Sequence, residues 1–310
     1  MRWDDFRKSS NVEDRRGQMV RAGGLGLGTM AILGLIAWGL GINPALLIGG
    51  AEMVSRHLPS STEQGKPVAG NDEAGQFVAA VLGDTEDQWS AIFKSTGKTY
   101  QPPKLVIFSG ATRSACGMAQ SAVGPFYCPN DRTVYLDTAF FKQIETRLRG
   151  CEGKACQFSQ AYVIAHEIGH HVQNQLGILP KVQALQARSE QTEGNQIQVR
   201  VELQADCLAG VWANHSHNKL KFLEPGDIES ALQTATAIGD DTLQKRGQGY
   251  VVPDAFTHGS AEQRKRWLLT GLKSGDVTSC DTFGNTSLYP LPGRSNDRPR
   301  GMRLGAYPGR

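Results

Sequence analysis

The chain has no large excess of one charge sign, no Cys-x2-Cys pair, and not a single charged residue between positions 22 and 51. Each absence excludes something. A net charge of +3 over 310 residues is too mild to point to a nucleic-acid partner. Without a Cys-x2-Cys pair, a cysteine-built zinc site is not expected. The charge-free run AGGLGLGTMAILGLIAWGLGINPALLIGGA, residues 22–51, has a buried soluble helix as its competing reading, which its length disfavours. It exceeds the roughly 20 apolar residues that a spanning helix needs. We expect one transmembrane anchor over 22–43, with Pro44 just beyond.

Charge sets the expected orientation. Residues 1–21 carry Arg2, Arg7, Lys8, Arg15, Arg16 and Arg21, and the next basic residue is Arg56. The positive-inside bias makes 1–21 a basic cytoplasmic tail and sends the rest to the exported side of a bacterial inner membrane. No clear A-x-A site follows the apolar run, so an uncleaved anchor is expected rather than a removed signal peptide. All six cysteines lie beyond the run, and their even number suits an oxidising compartment. Spacing leaves fifteen pairings open. Local closure favours Cys151–Cys156 and Cys116–Cys128, which leaves Cys207 with Cys280.

Residues 44–73 are expected to be a linker, with a polar Pro/Ser/Gly-containing part from Arg56 on, and ordered structure begins near Glu73. The folded domain is expected over 74–290. The last twenty residues, 291–310, are rich in Pro, Gly and Arg and read as a disordered tail. Within the domain, Phe77–Phe93 has helical spacing with a break at Gly83. Lys104–Phe108 and Val134–Leu136 read as short strands around a looped Gly/Ser/Ala segment. Asp137 would cap a helix over Thr138–Leu148, and Ser159 the next helix. Helical stretches follow over Gln183–Arg188, Asn195–Asn214, Ile228–Ile238 and Ala261–Leu272. Two strands before several helices indicate an α+β fold in which helices dominate.

One of those helices carries His166-Glu167-Ile168-Gly169-His170, which reads HExxH. Histidines four apart lie one above the other on a helix, so both rings can grip one metal from the same side. The intervening glutamate can take a proton from an attacking water. With 7 His and 14 Glu in the chain, chance would produce this pattern in about one chain in a hundred of this composition. A catalytic zinc needs a third protein ligand. The longer form HExxHxxGxxH is ruled out, because Gln173 and Leu176 occupy its Gly and third-His places. A later helix offers Glu202 and Asp206, four apart on one face. Glu202 would bind zinc, and Asp206 would accept a hydrogen bond from the free nitrogen of His166 or His170.

The HEIGHH run, the ELQAD helix and Thr257-His258-Gly259-Ser260 followed by Arg264 resemble the bacterial neutral zinc metallopeptidase family of single-pass membrane proteins. Gly124–Pro129 and the Val134–Asp137 strand belong to the same likeness. HExxH with a later E-x-x-x-D is similar, more broadly, to the gluzincin metallopeptidases. The resemblance implies a gluzincin-like domain with a small sheet. It implies His166, His170 and Glu202 as zinc ligands, Glu167 as general base and Asp206 behind a ligand histidine. It also implies that His258 lies near the active site, where it could steady an oxyanion. Gly259 stands where related families often have proline, and a structural histidine is the competing reading for His258. His171, His215, His217 and Tyr250 read as surface or supporting residues.

The expected reaction is peptide hydrolysis by a membrane-anchored zinc metallopeptidase, with an extended peptide or protein substrate pairing along Val134–Leu136 as an edge strand. The alternative is a non-catalytic, zinc-stabilised membrane protein that binds a partner.

Overall fold

The structure, a computed structural model, describes residues 1–17, 65–121 and 124–284. The expected anchor over 22–43 and the tail over 291–310 lie outside the described residues, as does the linker up to residue 64. Among the described residues, no helix is long and apolar enough to cross a membrane. The fold is α+β and mostly helical.

A four-stranded sheet has the order β1-β2-β6-β5. Its strands are β1 (Val12–Asp14), β2 (Lys104–Phe108), β6 (Thr133–Asp137) and β5 (Phe126–Cys128). β1, β2 and β6 run parallel, and β5 is antiparallel to β6. A hairpin of β3 (Ala111–Ser114) and β4 (Gly117–Gln120) stands beside it. β2 is a continuous apolar run because both of its faces are covered. Leu105 and Ile107 face the main helical core, whereas Val106 and Phe108 join Ala119, Cys128 and Tyr135 in a smaller core.

The helices are α1 (Glu73–Ser95), α2 (Ala139–Thr146), α3 (Cys156–Gln175), α4 (Ile178–Gln186), α5 (Gln191–Leu220), α6 (Asp227–Ala237), α7 (Asp240–Gln248) and α8 (Ala261–Ser274). α3 and α5 are the central pair, and α8 packs along α5. α8 starts at a capping box in which Ser260 and Gln263 satisfy each other's backbone N–H groups. Asp137 accepts from the backbone N–H of Ala139 at the head of α2, as its position predicts. Ser159 does not cap α3. The helix begins three residues earlier, at Cys156, and Ser159 is buried inside it against Ser230.

All six cysteines are bonded, as 116–128, 151–156 and 207–280, which is the pairing that local closure favours. The last of these joins α5 to the short turn Val277–Cys280.

The N-terminal residues differ most from expectation. They are not a free basic tail: Met1–Arg16 belong to the same compact body as the described residues from Lys66 to Gly284. β1 supplies the sheet's outer strand, and Met1, Phe6 and Val12 are buried in the main core. Burying side chains of this size contributes about 1.5–3 kcal/mol each. α1 runs unbroken through Gly83 because that glycine makes room for the N-terminal backbone. A Cβ there would collide with the Arg7 carbonyl. Val134–Leu136 is likewise not an edge strand. β6 lies between β2 and β5, so the short β5 is the edge strand on that side.

Candidate metal centre

α3 presents His166 and His170 one turn apart, with ring centroids 4.8 Å from each other. α5 crosses it and brings Glu202 to both. The Glu202 Oε2 lies 3.1 Å from His166 Nε2 and 3.5 Å from His170 Nε2. Zinc–ligand bonds of about 2.0–2.2 Å in a tetrahedron place donor atoms about 3.3–3.6 Å apart, close to the two separations that Glu202 makes. Nitrogen and carboxylate oxygen are also the donors zinc accepts in catalytic sites. The three donor atoms all lie within 4.8 Å of one another. Close approach of the helices depends on Gly169. A Cβ there would stand 2.9 Å from the Ala205 carbonyl oxygen, closer than packed atoms allow.

Each ligand is held from behind. His166 Nδ1–H donates to Asp206 at 2.8 Å, which leaves Nε2 to face the metal position. Asp206 also accepts from the Tyr162 hydroxyl at 2.6 Å and from two Arg264 nitrogens, both at 2.9 Å. His170 Nδ1–H donates to Gln173 Oε1 at 2.9 Å. The Gln173 amide in turn donates to the Val201 carbonyl and to Gln204 on α5. Glu202 Oε1 accepts from Gln198 at 2.9 Å. Every member of this set except His170 and Gln198 is buried.

The electrostatics favour a cation. Burial opposes a charged His166, but Asp206 and Glu202 outweigh it and raise its pKa to about 10. Burial would raise Glu202, yet the two rings hold it well below the usual carboxylate range. Burial would raise Asp206 too; Arg264 and His166 hold it at about 2. Carboxylates that stay ionised here stabilise positive charge between the rings, whether a proton or a metal ion.

Glu167 is buried, and among the described residues no hydrogen bond engages its carboxylate. It lines a cleft of about 820 Å³ together with His166, His170, Glu202 and His258. The edge strand β5 contributes Phe126 and Tyr127 to the same wall. His258 therefore joins the cleft, half-exposed. Its backbone N–H and Nδ1 are engaged by Asp240, at 2.6 and 3.3 Å. The Asp240 hydrogen bond raises its pKa above the ordinary 6.5.

The other candidates stand apart. His171 is not a surface residue: it is fully buried, between the Tyr127 hydroxyl and the Gln101 carbonyl. Burial pushes its pKa down to about 4, so it is a neutral tie between α3 and β5. His215 bonds the Gly275 carbonyl, and His217 accepts from Leu223 N–H. Tyr250 is exposed and does not line the cleft. Gln173, Gln198, Tyr162 and Asp240 were not foreseen. Gln173 lies three residues after His170 and Gln198 four before Glu202, so helical spacing could have found both.

The chain belongs to a zinc metallopeptidase family. The family model described as "Putative neutral zinc metallopeptidase" matches residues 1–283. The chain is 46% identical over 299 residues to "Uncharacterized protein YpfJ" of Escherichia coli (strain K12), covering 92% of this chain and 100% of that relative. It is 39% identical over 259 residues to "Uncharacterized protein Rv2575" of Mycobacterium tuberculosis (strain ATCC 25618 / H37Rv), covering 80% of this chain and 85% of that relative. No solved structure matches.

Proposed function

We propose that the chain is a membrane-held zinc endopeptidase acting on peptides or proteins in an exported, oxidising compartment. The observation that carries the catalytic reading is the convergence of His166, His170 and Glu202 beside an unengaged Glu167 on one cleft wall. Bound there, zinc would supply Lewis acidity, making water more acidic and a peptide carbonyl more electrophilic. Glu167 takes the proton of the attacking water and returns it to the leaving amine. A carboxylate free of other hydrogen bonds suits that shuttle, since nothing competes for the proton. As an imidazolium, the form that Asp240 favours, His258 donates from Nε2 to the developing oxyanion while its Nδ1–H stays on Asp240; among the described residues Nε2 has no hydrogen-bond partner. An extended substrate pairs with the edge of β5 at Phe126–Cys128, in place of the interior β6.

Export is supported by three disulfides, and membrane attachment by the charge-free run of residues 22–51. The test joins metal content to turnover on casein. The wild-type chain is expected to hold one zinc and digest casein. Glu167→Gln should keep the zinc and lose digestion, and Glu202→Ala should lose both. A wild type that holds zinc without digesting casein favours a non-catalytic binding protein. Digestion surviving in Glu167→Gln overturns the mechanism.

A further inference from the structure

The charge-free run of residues 22–51 has both flanks in one folded body. Ahead of it, Ser9 N–H donates to the Ala79 carbonyl on α1 at 2.9 Å, beside Gly83. β1 then pairs with β2 in register, Val12 with Leu105 and Asp14 with Ile107. Behind the run, Lys66 returns to the same strand. Asp14 and Lys66 exchange both backbone hydrogen bonds, at 2.7 and 2.9 Å. The chain thus leaves the body and rejoins it at one place.

Three of the six basic residues that set the expected orientation, Arg7, Arg15 and Arg16, have acid partners inside this body. Arg7 reaches Glu86 at 2.7 Å and Asp87 at 2.9 Å on α1. Arg15 pairs with Glu13 at 2.9 Å. Arg16 pairs with Asp14 at 2.6 Å and also with Asp72, just ahead of α1. Ser9 and Asn11 both donate to Glu86 Oε1, which is buried. The charges of Arg7, Arg15 and Arg16 are offset within the fold, which weakens their case for a cytoplasmic flank.

A single complete crossing between Arg16 and Lys66 would put these partners on opposite faces of a bilayer. Two complete crossings need about 40 apolar residues, and the run offers 30. We infer that residues 1–16 stand on the same side of the membrane as the metal centre. This rests on the membrane reading of residues 22–51 proposed above.

The test uses the full chain in spheroplasts of a Gram-negative host. No free cysteine competes, because all six are bonded. Lys8→Cys reports the N-terminal segment and Lys98→Cys the body; both lysines are exposed, so neither change disturbs the core. A membrane-impermeant maleimide is applied before and after permeabilisation. Equal labelling of both variants in intact spheroplasts upholds the inference. Equal labelling of both only after permeabilisation also upholds it, while overturning the exported reading. Labelling of Lys98→Cys in intact cells with Lys8→Cys reacting only after permeabilisation overturns it. A chain found wholly in the soluble fraction overturns it together with the membrane reading.

Discussion

Two histidines on one cleft are each backed by an aspartate, and the two pairs are built in opposite ways. In His166–Asp206 the carboxylate is fully buried and takes the ring N–H, the Tyr162 hydroxyl and a two-pronged Arg264. In His258–Asp240 the ring is half-exposed at 3.3 Å, and the carboxylate gives most of its capacity to the backbone N–H groups of Thr257, His258 and Gly259. The residue types are the same. What differs is the dielectric around them and the number of partners that fix the acid. The first pair sets the tautomer of a metal ligand. The second shapes a loop and leaves the outer ring nitrogen available.

The contrast can be broken by measurement. The largest effect is expected from Asp206→Ala, which strands the buried Arg264 guanidinium; removing one partner of a buried pair costs about 3–5 kcal/mol. Asp240→Ala frees backbone groups that water can partly reach and should cost about 1 kcal/mol. Urea unfolding of the two variants reads the difference, and equal losses would end the distinction. An intermediate effect is expected on metal affinity. Asp206→Asn and Gln173→Leu should weaken zinc binding about 10–100-fold by loosening the ligand rings, while Asp240→Asn leaves it unchanged. Chelator competition followed by metal analysis decides.

The smallest effect is a titration. His258 is raised above 6.5 by Asp240, so the pair's contribution to stability is complete below that value. It is lost as pH rises through the raised pKa. Exposure keeps it well under 1 kcal/mol. The His258 ring signal in proton NMR should titrate above 6.5 in the wild type and return toward 6.5 in Asp240→Asn. An unchanged midpoint would show that the two residues do not communicate.

Much of the site was legible because it is written in helical spacing. His166 and His170, and then Glu202 and Asp206, each repeat every four residues, and the geometry follows from the helix alone. The disulfides were legible because two of them close short loops. The long-range partners were not. Arg264 lies 58 residues from Asp206, and no local pattern joins them. Arg7 and Arg16 read as part of a membrane flank because Glu86, Asp87 and Asp72, which they meet in the fold, lie far along the chain. β5 is three residues long, too short to signal a strand, so its neighbour β6 was mistaken for the edge. Gly83 looked like a helix break, because a sequence does not show which glycines are crossed by another segment.

Gly169 narrows what the signature itself means. HExxH is written with two wild-card positions between the acid and the second histidine. When the third ligand arrives on a helix crossing at Ala205, the second wild card is no longer free, because its size sets the span of the ligand bite. A graded series at residue 169, from alanine to valine, would prise the carboxylate away from the imidazoles step by step. The effective pattern for this architecture is therefore HExGH, with the glycine acting as a spacer gauge rather than as a point of flexibility.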